Sequence, residues 1–308
     1  MKSNLTFIMA GFLLLGVFQS CKRNTSARNF NQVDTSRTVQ FVSDESFAPI
    51  LDQELYVFKS VQTHDKPEII YKSENDAIRY LLNDSTSFAF LSRNLKPDEL
   101  KTLSERNSQP MVTKFAIDAI ALIVNEASAD TTITVAEIKK MLTGQTKTDK
   151  NIVFDNPNSS LVRYLKDLTG GADLKAKNIY ALKSNKEVIE YVSKHPDAIG
   201  ITGFSWLNDP DADYADAAKN VKIVAVKDEN SKDAPNQYFT PSQTTLSLKQ
   251  YPLIRELYII NCIGSKNGTG AEFEHFLVSD RGQRIVLRSG LLPIKLPGRE
   301  IMTHSNKL

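Results

Sequence analysis

The chain is short of the residues that build metal centres, crosslinks and nucleotide cradles. It has 4 histidines in 308 residues (His64, His195, His275 and His304), scattered without ligand spacing, so a metal centre is not expected. No glycine-rich phosphate loop is present, which excludes the usual nucleotide cradle. No basic run and no interleaving of aromatic with basic residues occurs, which argues against nucleic acid as a partner. Internal repeats and low-complexity tracts are also missing. Gly203-Phe204-Ser205-Trp206-Leu207 resembles a nucleophile elbow without its last glycine, and His275 lies in an acidic, helix-like stretch rather than completing a triad. The expectation is a protein that is not an enzyme and holds neither cofactor nor metal.

What is present begins with an address. Lys2 precedes an apolar stretch from Leu5 to Phe18, and the small Ser20 stands directly before Cys21. The stretch is too short for a comfortable bilayer span and reads as a secretory signal. The small-residue–cysteine junction resembles the bacterial lipoprotein signal. That resemblance implies removal of residues 1–20, lipid on Cys21 and a polar tether over 21–36. An ordinary signal peptide with an incidental cysteine is the alternative. With Cys21 lipidated, Cys262 is left alone in the apolar run Leu257 to Ile263, so a buried thiol is expected and a structural disulfide is not. Loss of Lys2 leaves 37 basic against 36 acidic residues, close to neutral. The remainder is long enough for two lobes of roughly 100–150 residues each.

From Val39 to about Asn208, strand-like apolar runs alternate with helical periodicity, which argues for α/β architecture. Val39 to Ser43 leads to a helical pattern with Phe47, Leu51, Leu55 and Phe58 on one face. Glu68 to Tyr71 leads to Ser73 and Asp76 at capping-box spacing. Phe88 to Leu91 leads to Ser92 and Arg93, then to a helix opened by Pro97. Ile152 to Phe154 leads to Asn158, Ser159 and Ser160, then to a Leu161, Leu165, Leu168 stripe stopped by Gly170 and Gly171. Strand, polar turn and helix start thus recur, and in open α/β sheets ligands bind where such helix starts lie. The turns bring hydroxyls, an amide and one arginine, which suits a small anion. Each serine also has a purely local reading as a helix cap.

The segments "SDESF", "SRNLKPDE", "FAIDAIALIVN", "EIKKMLTGQ", "NSSLVRYL", "AIGITGFSW" and "FLVSDRGQRIVLRSGLLP" occur in an order that resembles phosphate-type solute-binding proteins of ABC importers. The resemblance covers nearly all of the chain beyond the signal. It implies a two-lobed α/β fold of the type II periplasmic-binding kind, with two hinge crossings and the anion held between the lobes. The crossings would be Lys114 to Asn125 outward and Arg255 to Ile263 returning. Lobe one would be residues 37–115 and 256–308, and lobe two 116–255.

Residue by residue, the resemblance implies ligand contacts from Ser46 and Phe47 in the first turn, Ser73 in the second and Ser92 with Arg93 in the third. Asn158, Ser159 and Ser160 would contribute from the opposite lobe. Asp44, Glu45 and Asp155 are candidates to accept a proton from the ligand. The chain departs from the family in two places. The glycines usual after the second serine are missing, and the arginine usual before the Asn-Ser-Ser run is replaced by Phe154 or Asp155. For Arg93 an ion pair with Asp98 or Glu99 is the alternative, and Asp118 reads equally as a buried hinge group or as facing a neighbouring turn. The implied function is a monomeric, lipid-anchored receptor on the periplasmic side of the envelope. It would capture phosphate or a similar oxyanion in a neutral cleft for the membrane subunits of an ABC importer. The rival is an envelope scaffold or sensor lipoprotein that kept the fold without a transport ligand.

Overall fold

The computed structural model describes residues 38–298 apart from 63, 147, 175 and 264–267. The signal stretch, Cys21 and the tether therefore lie outside the described residues. No helix among the described residues is long and apolar enough to cross a membrane.

The strands are β1 (Thr38–Asp44), β2 (Lys66–Lys72), β3 (Phe88–Leu91), β4 (Met111–Asn125), β5 (Thr132–Thr134), β6 (Asn151–Phe154), β7 (Ile179–Ala181), β8 (Ala198–Gly203), β9 (Val221–Ile223), β10 (Ala225–Lys227), β11 (Ile254–Asn261) and β12 (Leu292–Pro293). The main sheet runs β2-β1-β3-β11-β4-β8-β6-β7. Its two flanks are parallel, with β1 between β2 and β3 on one side and β6 between β8 and β7 on the other. Both crossings are antiparallel to their neighbours.

β4 holds the two halves together. It is 15 residues long, against a usual strand of about 5–6. Met111 to Ala119 pair with β11, and Ile120 to Val124 pair with β8. Its inner two thirds are buried, with only Ile117 partly exposed between Phe115 and Asn125. Such a run is covered on both faces and needs no polar alternation. The outgoing crossing expected at Lys114 to Asn125 therefore lies inside one continuous strand, and the return crossing is β11, with a bulge between Leu257 and Tyr258.

The helices start where local chemistry dictates. Helix α1 (Ala48–Val61) has Pro at its start, and α2 (Glu74–Leu82) is capped by Ser73, which accepts from the Asp76 N–H. Helix α3 (Pro97–Glu105) again opens on proline. Helix α4 (Val135–Leu142) has a Thr134–Glu137 capping box, and α5 (Ser160–Leu168) is capped by Ser159. Helix α6 (Asn185–Lys194) is capped by Ser184, and α7 (Thr269–Val278) is followed by α8 (Asp280–Arg288), capped by Ser279. Between β1 and α1 the chain makes a 3-10 turn over Glu45–Phe47, so the helix begins later than its apolar pattern suggests.

In the first half, Phe41, Phe58, Phe88, Phe90 and Phe273 pack ring against ring with centroids 4.9–6.0 Å apart. Burying each such ring contributes about 1.5–3 kcal/mol. Gly270 makes room for this cluster, because a Cβ there would sit 2.0 Å from the Phe88 ring. Cys262, expected as a buried thiol, is half-buried just beyond β11, and desolvation pushes it up to about 11.

Candidate functional site

Asp44 ends β1 and is 1% exposed. One carboxylate oxygen accepts from the Ser46 backbone N–H at 2.8 Å, which closes the 3-10 turn. The other accepts from the Ser160 N–H at 2.7 Å, the first amide of α5, contributed from the far side of the sheet. Two main-chain amides from opposite halves thus converge on one oxyanion group, and that group belongs to the chain itself. The free N–H groups and dipole of a helix start favour a negative charge there.

A second carboxylate stands behind it. Asp155 accepts from the Ser46 hydroxyl at 3.1 Å, the Ser159 hydroxyl at 2.5 Å and the Asn185 amide at 3.1 Å. Asn185 also donates to Glu45 at 3.0 Å, while its own oxygen accepts from the Thr202 hydroxyl and the Gly203 N–H at 2.8 and 3.1 Å. Burial pushes the Asp155 carboxyl up to about 7, with the Asp44 and Glu45 charges adding to it. Glu45 is likewise pushed up to about 7 by burial, against the pull of the Asn185 amide. Asp44 is raised by burial too, opposed by the Ser46 amide and reinforced by the Glu74 charge.

Arg255 on β11 reaches this cluster through Ser160. It lies opposite Asp118 in the β11–β4 register, where β4 passes from one partner strand to the next. Its Nε donates to Asp118 at 2.8 Å, and its Nη1 donates to the Ser160 hydroxyl at 3.1 Å. Nη2 lies 2.7 Å from the same Asp118 oxygen, but outside hydrogen-bond geometry. The guanidinium sits 4.8 Å above the Phe47 ring. Gly203 leaves space for it, because a Cβ there would meet Nη2 at 2.8 Å.

The expected site residues are brought together, but with different partners from those foreseen. Ser46, Ser159, Ser160, Asp44 and Asp155 form one buried network with the partly buried Glu45 at its edge, and Phe47 lies beneath Arg255. Ser73 caps α2 and turns its hydroxyl to Asp76 at 2.8 Å. Asn158 bridges to Asn75 through backbone and side-chain hydrogen bonds, both 3.3 Å long. Ser92 donates to Glu74 and accepts from Arg163 at 2.7 Å. Arg93 forks onto Glu99 at 2.7 and 2.8 Å, with its Nε 3.4 Å from Glu74. Its two terminal nitrogens are therefore taken by a carboxylate, the alternative that the sequence left open. Arg163 crosses from α5 to Glu74 at 2.6 Å. The cleft carries Asp44, Glu45, Glu74 and Asp155 together with Arg93, Arg163 and Arg255.

Arg255, Asn185 and Glu74 were not foreseen as site residues. A signal existed for the first. Arg255 and Asp118 are opposite charges with apolar neighbours in two strand runs that also carry Glu256 and Lys114, and charges buried between strands need each other as partners. A hollow of about 230 Å³ opens beside Asp44, lined also by Glu45, Tyr71, Lys72, Ser73, Asp155 and Lys183. A larger one of about 490 Å³ lies at the start of β1, among Thr38, Thr86 and Thr269. The site is assigned to the smaller because the converging amides and carboxylates are there.

The profile of the PBP superfamily domain matches residues 31–281. The chain belongs to that superfamily. Among curated relatives, the phosphate-binding protein PstS of Borreliella burgdorferi is 25% identical over 283 residues, covering 87% of this chain and 94% of that protein. The phosphate-binding protein PstS of Staphylococcus aureus is 28% identical over 210 residues, covering 64% of this chain and 60% of that protein. Among solved structures, an ABC-type phosphate transport receptor from Vibrio cholerae aligns with a TM-score of 0.62 at 17% identity, covering 82% of this chain and 99% of that one. The two-lobed α/β fold of the PBP superfamily is thus the fold of this chain, with the amide-lined cluster at the meeting of its two halves.

Proposed function

We propose that the chain is an extracytoplasmic solute receptor that captures phosphate or a similar small oxyanion and passes it to the membrane subunits of an ABC importer. The observation that carries this reading is the convergence of the Ser46 and Ser160 amides, one from each half, at 2.8 and 2.7 Å on a single carboxylate. A group that holds one oxyanion can hold another, and the names of the curated relatives point to phosphate. In this reading the lobes comprise residues 37–115 with 256–308, and 116–255. Ser46, Ser159 and Ser160 supply hydroxyls and amides, and Arg255 holds Ser160 in place. Ser73, Ser92, Arg93 and Asn158 shape the rim. Lipid on Cys21 ties a monomeric receptor to the envelope membrane.

The scaffold or sensor reading has its own support, because the described arginines of the cleft are all engaged by the chain's carboxylates. Calorimetry of the full chain against phosphate, sulfate and molybdate separates the two. Phosphate binding that Ser160→Ala weakens by roughly ten- to hundredfold supports the receptor, since a hydrogen bond to a charged group is worth about 1.5–3 kcal/mol. Heat-silent titrations with all three anions, repeated by equilibrium dialysis, would leave the scaffold.

A further inference from the structure

We propose, resting on the receptor reading, that Asp44 is a built-in occupant of the anion seat and that ligand enters only by displacing its carboxylate. Three observations carry this. The side chain is 1% exposed although it ends a strand at the cleft. Its two oxygens take one amide from each half, the turn amide of Ser46 and the helix-start amide of Ser160. These amides lie 114 positions apart in sequence, so local capping explains only the first contact.

A carboxylate presents the same donors with the same kind of oxygen that a phosphate would, so the two compete for one place. Displacement is physically open. The hollow beside Asp44 is lined by Lys72 and Lys183, which offer a displaced carboxylate cationic partners. The chain thereby sets a threshold: an anion is held only if its contacts with the amides outdo those that Asp44 already makes. A seat so occupied discriminates against weakly bound anions at low concentration without any further residue, because each must repay the bonds it breaks.

The test compares the full parent chain with Asp44→Ser and Asp44→Asn by calorimetry with inorganic phosphate. Ser keeps a cap acceptor for the Ser46 amide but is too short to reach Ser160. Asn keeps the shape and lacks the charge. Both should bind phosphate roughly ten- to hundredfold more tightly than the parent, the range expected when a charge-assisted competitor is removed. The same result follows if the parent shows no binding and the variants do. Equal or weaker binding by folded variants, with the parent binding, overturns the proposal and leaves the receptor reading intact. No binding by parent or variants, all shown folded by thermal melts, overturns both. If Asp44→Ser does not fold, Asp44→Asn alone carries the comparison.

Discussion

A buried carboxyl with no partner is costly unless it is neutral. Glu54 on α1 is fully buried, neither of its oxygens has a hydrogen-bond partner, and desolvation pushes it up to about 9. Asp155 and Glu45 are raised to about 7. In each case the folded chain holds the proton more tightly than the unfolded one. The stability these groups contribute is full below pH 4 and is lost as the pH rises, up to about 7 for Asp155 and Glu45 and about 9 for Glu54. Urea denaturation should therefore give a lower unfolding free energy at pH 8 than at pH 5. Glu54 accounts for at most about 4 kcal/mol of that fall. Glu54→Met should flatten the slope and stabilise the chain at pH 8, and an unchanged slope would contradict the assignment.

Residues of this kind also mark where the sequence could not be read. Glu54 lies on the buried stripe of α1, and only the packed structure shows that nothing pairs with it. Asn185 carries no local signal beyond its place in the first turn of α6, yet it ties Glu45 and Asp155 to Gly203 and Thr202. Such roles depend on contacts between residues 30 or 140 positions apart, which no local pattern encodes.

Elements were far more legible, because their ends depend on neighbours along the chain. Ser73 and Pro97 each stand at the helix start that their chemistry predicts, Ser279 caps α8, and Gly290 just beyond α8 has φ +81°. The same local chemistry left Ser159 and Ser160 indistinguishable. The structure separates them. The Ser159 hydroxyl accepts from the Val162 N–H and caps α5, whereas the Ser160 hydroxyl accepts from Arg255. Ser159→Ala should cost about 1 kcal/mol of stability, read from a shifted denaturation midpoint. Ser160→Ala should instead show its main effect in ligand affinity. Equal effects of the two changes on both quantities would mean that the hydroxyls share one role.

At the scale of the molecule, the buried Arg255–Asp118 pair lies where the two crossing strands run side by side. Removing one member leaves the other charged and unpaired, which typically costs about 3–5 kcal/mol. Asp118→Asn should lower the unfolding free energy by that order. Asp118→Leu combined with Arg255→Met should recover much of the loss. A double variant no more stable than the single one would show that the pair does more than neutralise itself. If hinge bending closes the halves around a ligand, small-angle scattering of the full chain should give a smaller radius of gyration with saturating phosphate than without it. Identical profiles with ligand demonstrably bound would rule that motion out.

The strand order carries a further consequence, for the order in which the chain can be completed. β11 fills the slot between β3 and β4, yet it is made of residues 254–261 and is translated after β1 to β10. Until it emerges, the first half of the sheet has two open edges facing an empty central place, and unpaired edges of this kind recruit other chains. The second half has β4, β8, β6 and β7 in hand by residue 203 and can pair its strands without waiting. A newborn chain thus has one half able to close early and one held open until β11 arrives. Premature termination before residue 254 should accordingly yield aggregates seeded by β3 and β4 rather than a folded chain short of one strand.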